Sequence, residues 1–210
     1  MLSDAEVAVT GIDTYFREEP ISDVVFARMQ GKSWKDDCPL QRSELKYLKM
    51  LHRNADGHPQ LGEMVVNAAI ADKVLEIFRQ LYEKDYRIER MVLIDDFDAD
   101  DTKAMRANNT SCFNFRYMSG STTRLSKHAQ GLAIDINPLY NPYVRQRADG
   151  SWRIEPVEGE PYALHRDQRT DIPYKIDRND FVYRLFIAAG FRWGGSWSRV
   201  KDYQHFEIDL

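Results

Sequence analysis

The chain has 210 residues, 29 Lys and Arg against 33 Asp and Glu, and a net charge of −4, a length that suits one domain or one domain with embellishments. The two signs are interspersed and the isoelectric point is near 5.8, which excludes the basic stripe of a nucleic-acid surface. No apolar run approaches the roughly 20 residues that cross a bilayer, and no repeat or low-complexity segment is present.

The first residues, Met-Leu-Ser-Asp-Ala-Glu, lack the charged start and apolar core of a signal peptide. Leu45, Leu48 and Leu51 recur at helical spacing after Ser43. A longer stripe of Val66, Ile70, Val74, Ile77 and Leu81 predicts a second, amphipathic helix. Residues 1–87 are therefore expected to form a helical region packed on a core of residues 88–210. The apolar run 91–94 reads as a short buried strand. It leads into Asp95-Asp-Phe-Asp-Ala-Asp-Asp101, where Asp96, Asp98 and Asp100 alternate like a calcium loop. Asp101 stands where that loop needs Gly, however, and Ala107 where it needs a bidentate Glu. A solvated loop capping the next helix is the better reading, since acids favour a helix N-terminus.

Cys112-Phe-Asn-Phe-Arg116-Tyr-Met alternates aromatic and polar residues and reads as a strand carrying Arg116. Cys38 and Cys112 fit either a disulfide or two buried thiols, and neither sits in a metal-binding spacing. In Ser126-Lys-His128-Ala-Gln-Gly131-Leu-Ala133-Ile-Asp135, the aliphatics Leu132, Ile134 and Ile136 alternate with Ala133, Asp135 and Asn137. That is the period of a half-buried strand, ended by Pro138. Gly131 leaves room for a close approach of backbone or ligand.

Residues 138–177 shift to Pro, Tyr, Arg and acids with turn signals at Asn141-Pro142 and Asp149-Gly150. This insertion is expected to form a rim or a short hairpin around Trp152; His165 lies in it without a partner pattern. A final helix is expected over 179–189, closing at Gly190. In the turn that follows, Trp193 and Trp197 either line a substrate groove or cap the core. The C-terminus places Phe206, Ile208 and Leu210 on one strand face, with His205, Glu207 and Asp209 on the other.

Two histidines and an aspartate supply the three ligands that a hydrolytic zinc ion takes, leaving a fourth position for water. If the two strands lie side by side, Asp135 and His205 face one point, and His128 reaches it from the preceding loop. Asp202 and Glu207 are both near enough to act as the base that such water needs. Ser126 is not a nucleophile, because no G-x-S-x-G elbow surrounds it; it suits a hydrogen-bonding place at the rim.

The segment S-K-H-A-Q-G-L-A-I-D resembles the S-x-H-x-x-G-x-A-x-D signature of the zinc D-alanyl-D-alanine carboxypeptidase family, and D-Y-Q-H resembles its second, acid-x-x-His. That family includes VanY-type carboxypeptidases, VanX-type dipeptidases and L-alanyl-D-glutamate endopeptidases. The resemblance runs from about Ile88 to the C-terminus. It implies one zinc ion on His128, Asp135 and His205, with Asp202 as general base. Glu207 then becomes a carboxylate supporting a ligand histidine. An arginine stabilising the oxyanion is also implied; Arg116 matches best, with Arg106 and Arg124 as competitors. The implied fold is α+β, a small antiparallel sheet flanked by helices as in the Hedgehog signalling domain, here with an N-terminal helical extension. The implied substrate is a peptidoglycan stem peptide or muropeptide, the implied place the cell envelope, periplasmic or secreted, and a monomer is expected. A zinc-binding interaction module without catalysis is the alternative on the same fold.

Overall fold

The computed structural model describes residues 2–117, 121 and 123–210. The end of the expected strand at Met118 lies outside them. In chain order the elements are α1 (Asp4–Thr10), β1 (Arg17–Pro20), α2 (Asp23–Met29), β2 (Leu45–Arg53), β3 (Pro59–Asn67), α3 (Ala71–Glu83), α4 (Asp101–Arg106), β4 (Ala133–Asp135), β5 (Tyr143–Gln146), β6 (Trp152–Glu155), α5 (Phe181–Ala188), β7 (Arg192–Trp193), β8 (Lys201–Asp202) and β9 (His205–Glu207). The strands form three small antiparallel sheets, ordered β1-β2-β3, β4-β9-β7 and β6-β5-β8. Helices and small antiparallel sheets together make an α+β fold. Among the described residues no helix is long and apolar enough to cross a membrane.

The N-terminal region is not the helical extension expected, because β1–β3 form a sheet there. Leu45, Leu48 and Leu51 lie on β2, which pairs residue for residue with β3 from Leu45↔Asn67 to Arg53↔Pro59. Leu45 and Tyr47 enter one apolar cluster, Leu48 and Met50 the other. A strand buried on both faces loses its period of two, and here the surviving leucine spacing imitates a helix. The hairpin turn is closed by Asn54, whose side-chain oxygen accepts from the N–H groups of Asp56 and His58 at 3.1 and 3.0 Å. The second stripe forms a helix only from Ala71 onward: α3 buries Val74, Ile77, Phe78 and Leu81, while Val66 belongs to β3.

Two further expected strands form no ladder. Residues 91–94 form no strand. Residues 112–116 are tied by scattered bonds, Phe113 N–H to the Val65 carbonyl, Asn114 N–H to that of His128 and Phe115 N–H to that of Ser33. The acidic stretch is spent on structure. Asp100 caps α4 by accepting from Lys103 N–H at 3.0 Å, and Asp96 pairs with Arg28 at 3.0 Å. Asp95 is not solvated: it is buried and accepts from Ser33 N–H at 3.0 Å. Both cysteines are free thiols.

One apolar cluster runs from Val7 through Leu48, Val74 and Ile77 to Leu132, Ile134, Ile136, Phe206 and Ile208. In the β4-β9-β7 sheet, Phe206 stands opposite both Ile134 and Trp193. Behind it Phe186 of α5 stacks on Phe206 with ring centres 4.3 Å apart. These contacts fix the apolar side of the sheet and so fix where its polar side points. Leu210, expected on the apolar face, is exposed.

Candidate metal centre

His128 opens a single tight turn, His128–Gln130, that its neighbours hold in place. The Ser126 hydroxyl accepts from Ala129 N–H at 3.0 Å, so Ser126 shapes the turn. Gly131 closes it with φ +66°, a left-handed conformation that suits glycine. A Cβ at Gly131 would lie 2.6 Å from the Asn67 backbone nitrogen. That approach lets Asn67 bond to the Gly131 and Gln130 carbonyls at 2.9 and 3.0 Å, which ties the end of β3 to the turn.

Asp135 and His205 are direct cross-strand partners in the β4–β9 pair. Asp135 Oδ1 lies 3.0 Å from His205 Nδ1, and Asp135 Oδ2 lies 3.3 Å from His128 Nε2. The two ring nitrogens are 3.2 Å apart. All three side chains are buried, and one ligand atom from each fits within 4.8 Å of the others. The opposite ring nitrogens are also engaged. His128 Nδ1 donates to the Cys112 carbonyl at 2.7 Å, and His205 Nε2 donates to Glu207 at 3.3 Å. In a neutral ring those donations leave the other nitrogen, His128 Nε2 or His205 Nδ1, with its lone pair free for a cation beside Asp135, and such supporting contacts are common behind metal-binding histidines.

Three acceptor atoms thus converge on one buried point, which only a cation makes favourable. Burial alone would lower the His205 pKa, yet its bonds to Asp135 and Glu207, with the charges of Asp135 and Asp202, push it up to about 10. Burial alone would raise Asp135, but the charge and hydrogen bond of His128, then the contacts of His205, hold it far below the usual carboxylate range. A proton on His205 satisfies the cluster where no metal sits. Two imidazoles and a carboxylate at this spacing also suit a divalent metal, and His128, Asp135 and His205 form a possible site for one.

The site opens into a cavity of about 650 Å³ lined by His128, Asp135, His205, Asp202, Arg116 and Trp197, among others. Burial pushes the Asp202 carboxyl up to about 6, against the pull of His205. Its Oδ1 is enclosed and has no partner among the described residues. Arg116 reaches the same cavity. Its guanidinium is 3.1 Å from Asp101, and its Nε is enclosed without a partner among the described residues. Arg124 also lines the cavity, whereas Arg106 pairs with Glu158 at 2.5 Å and does not. Glu207 is held from its other side by Arg192 at 2.9 Å. The Trp197 ring lies 5.4 Å from that of His205. Of the two places expected for Trp193, groove or core, the structure shows the core: it packs opposite Phe206, and its Nε1 donates to the Tyr203 carbonyl at 2.9 Å. The strand period that puts Arg192 beside Glu207 turns Trp193 inward.

Residues 119–208 match the D-alanyl-D-alanine carboxypeptidase family. The resemblance read from the two motifs is borne out over that segment, which contains both. A curated relative, the peptidoglycan L-alanyl-D-glutamate endopeptidase CwlK of Bacillus subtilis (strain 168), is 32% identical over 85 residues, 40% of this chain. The match spans 39% of that relative's length. No solved structure matches the chain significantly.

Sequence reasoning missed the cavity wall made by Tyr143, Arg145, Arg153 and Glu155. The signal was present. Alternate positions on either side of the Asp149-Gly150 turn define one face of the hairpin β5–β6, and that face meets the cleft.

Proposed function

We propose that this chain is a zinc-dependent peptidase that hydrolyses peptide bonds in peptidoglycan stem peptides, as a D-Ala-D-Ala carboxypeptidase or a related D,D- or L,D-peptidase of the cell envelope. The observation that carries this reading is the convergence of His128, Asp135 and His205 beside Asp202, a half-buried carboxylate whose Oδ1 has no hydrogen-bond partner among the described residues. Both motifs fall within the family match, and the relative's name identifies a peptidoglycan substrate for that protein.

His128, Asp135 and His205 would hold the ion; its donor set of two nitrogens and one oxygen fits zinc, and only these three side chains join the group among the described residues. Zinc held there supplies Lewis acidity toward a water and toward the scissile carbonyl. Asp202 accepts the proton of the attacking water and delivers it to the leaving amine. Its pKa, raised to about 6 by burial, suits a group that must both take and return a proton near neutrality. Arg116, which lines the cavity, offers its guanidinium to the carbonyl oxygen as negative charge develops. Glu207 keeps the His205 ring in the tautomer that faces Asp135. The Trp197 ring forms an apolar wall over the substrate chain. The α+β class of the fold is what supports the Hedgehog-like arrangement implied by the motifs.

The test is mass spectrometry of defined muropeptides incubated with zinc-loaded protein. Metal-dependent loss of a terminal D-Ala, or a cut within the stem, is the expected result, and the fragment masses identify the bond. Stoichiometric zinc with no cleavage of any stem would overturn the reading in favour of a zinc-binding module.

A further inference from the structure

We propose that Arg145, on the hairpin β5–β6 beside the Arg153–Glu155 ion pair, forms a subsite that binds a carboxylate of the peptide substrate. The inference rests on the peptidase reading above and gives it a specificity determinant.

The register makes the argument. In β5–β6, Arg145 stands directly opposite Arg153 and Tyr143 opposite Glu155. In β5–β8, Tyr143 stands opposite Asp202. Side chains directly opposite in an antiparallel pair share a face, as do residues two apart along a strand. Arg153, Glu155, Arg145, Tyr143 and Asp202 therefore occupy one face, and all five line the cavity of the metal centre. Val144, on the other face, is buried. The hairpin is thus a wall continuous with Asp202.

On the hairpin itself, one of the two arginines lacks an acidic partner. Glu155 is committed to Arg153, accepting from its Nε and Nη2 at 2.9 and 2.7 Å. Arg145 is exposed and has no ion pair among the described residues. Like charges directly opposite one another weaken a sheet. Glu155 offsets the Arg153 charge but leaves Arg145 unpaired beside it, and an unpaired cation that faces the reaction cavity is the kind of local inconsistency that marks a functional position. An anion of the substrate supplies the partner that Arg145 lacks, and a guanidinium matches a carboxylate through paired N–H donors. The anions a peptide offers are carboxylates.

Distance fixes which ones. One strand spacing of about 5 Å and a two-residue step of about 7 Å separate Arg145 from Asp202 along this face. That corresponds to about two residues of extended substrate. The carboxylate read here lies beyond the scissile residue, either at a nearby chain terminus or on an acidic residue adjoining the cut.

Four probes separate these sources: an N-acetylated tripeptide ending in D-Ala-D-Ala as free acid and as C-terminal amide, and an L-Ala-D-Glu peptide with its glutamate carboxylate free and amidated. The zinc-loaded wild type is expected to favour the acid of one pair by about tenfold in kcat/KM, expressed in KM. In Arg145→Gln that acid-to-amide ratio falls to near one. Arg147→Gln, which removes the same charge from the hairpin turn outside the cavity, keeps the ratio. The pair that responds assigns the carboxylate to the chain end or to the glutamate. A wild type indifferent to amidation in both pairs would overturn the proposal, and so would an equal effect of Arg145→Gln and Arg147→Gln. If the wild type turns over none of the four, the peptidase reading fails separately. Equilibrium binding of the same peptides, followed by tryptophan fluorescence, then tests the subsite alone. Tighter binding of an acid that Arg145→Gln abolishes supports it, and equal wild-type affinity for acid and amide overturns it.

Discussion

Each histidine of the candidate metal centre is held at both ring nitrogens, one toward Asp135 and one toward a supporting oxygen. The Glu207 contact at 3.3 Å is the weaker of the two supports, and it comes from a carboxylate that Arg192 also holds. Removing such a support costs about tenfold or more in metal affinity. Glu207→Ala is therefore expected to bind zinc about tenfold more weakly in competition with a chelator, with all three ligands intact. Unchanged affinity would show that the contact does not position the ring. Away from the site, Asp180 supplies a pH signature of its own. Burial pushes its carboxyl up to about 6 from 3.8, and its Oδ2 has no partner among the described residues. A raised folded-state pKa means that the folded chain holds this proton more tightly than the unfolded chain. The contribution is fully present below about pH 4 and is lost as pH rises through about 6. Asp180→Asn should abolish that decline and raise stability at pH 7.5 by up to about 3 kcal/mol. Denaturant unfolding at pH 4.5 and 7.5 measures it; parallel pH profiles for variant and wild type would contradict the assignment.

At the level of elements, the site depends on the β4–β9 pairing and on the turn beside it. The pairing was legible in the sequence. Alternation over 132–137 and 205–208 put Asp135 and His205 on polar faces, and pairing of the two strands brings them together. Trp193 was not legible, because a two-residue strand is too short for alternation to declare itself. Nor was β2, whose burial on both faces erased the pattern that would have revealed it. At the turn, Gly131→Ala would place a Cβ 2.6 Å from the Asn67 nitrogen at φ +66°. We expect a loss of about 2 kcal/mol or more in stability, together with weaker zinc binding as His128 shifts. Wild-type thermal unfolding and zinc affinity in that variant would show that the turn tolerates the crowding.

Across the whole molecule the centre is supported by residues from both ends of the chain. Leu48, Val74 and Ile77 share one apolar cluster with Ile134 and Phe206, and the end of β3 anchors the His128 turn. We propose that residues 1–87 and 88–210 form one cooperative unit. A fragment of residues 88–210 is expected to lack a cooperative unfolding transition, since it would expose the N-terminal half of that cluster's contacts. A folded, zinc-binding fragment would contradict this. The motifs made the C-terminal half readable because metal ligands need fixed offsets. The N-terminal half carries no such chemistry, and its packing emerges only in three dimensions.

The measurement that bears most directly on the central claim compares wild type with Asp202→Asn, recording zinc content and muropeptide turnover on the same preparations. Asn keeps the shape of Asp202 but cannot take the proton. Both proteins should hold one zinc, and turnover in the variant should fall by about 10²–10⁴-fold. Full turnover with zinc bound would remove Asp202 from the mechanism.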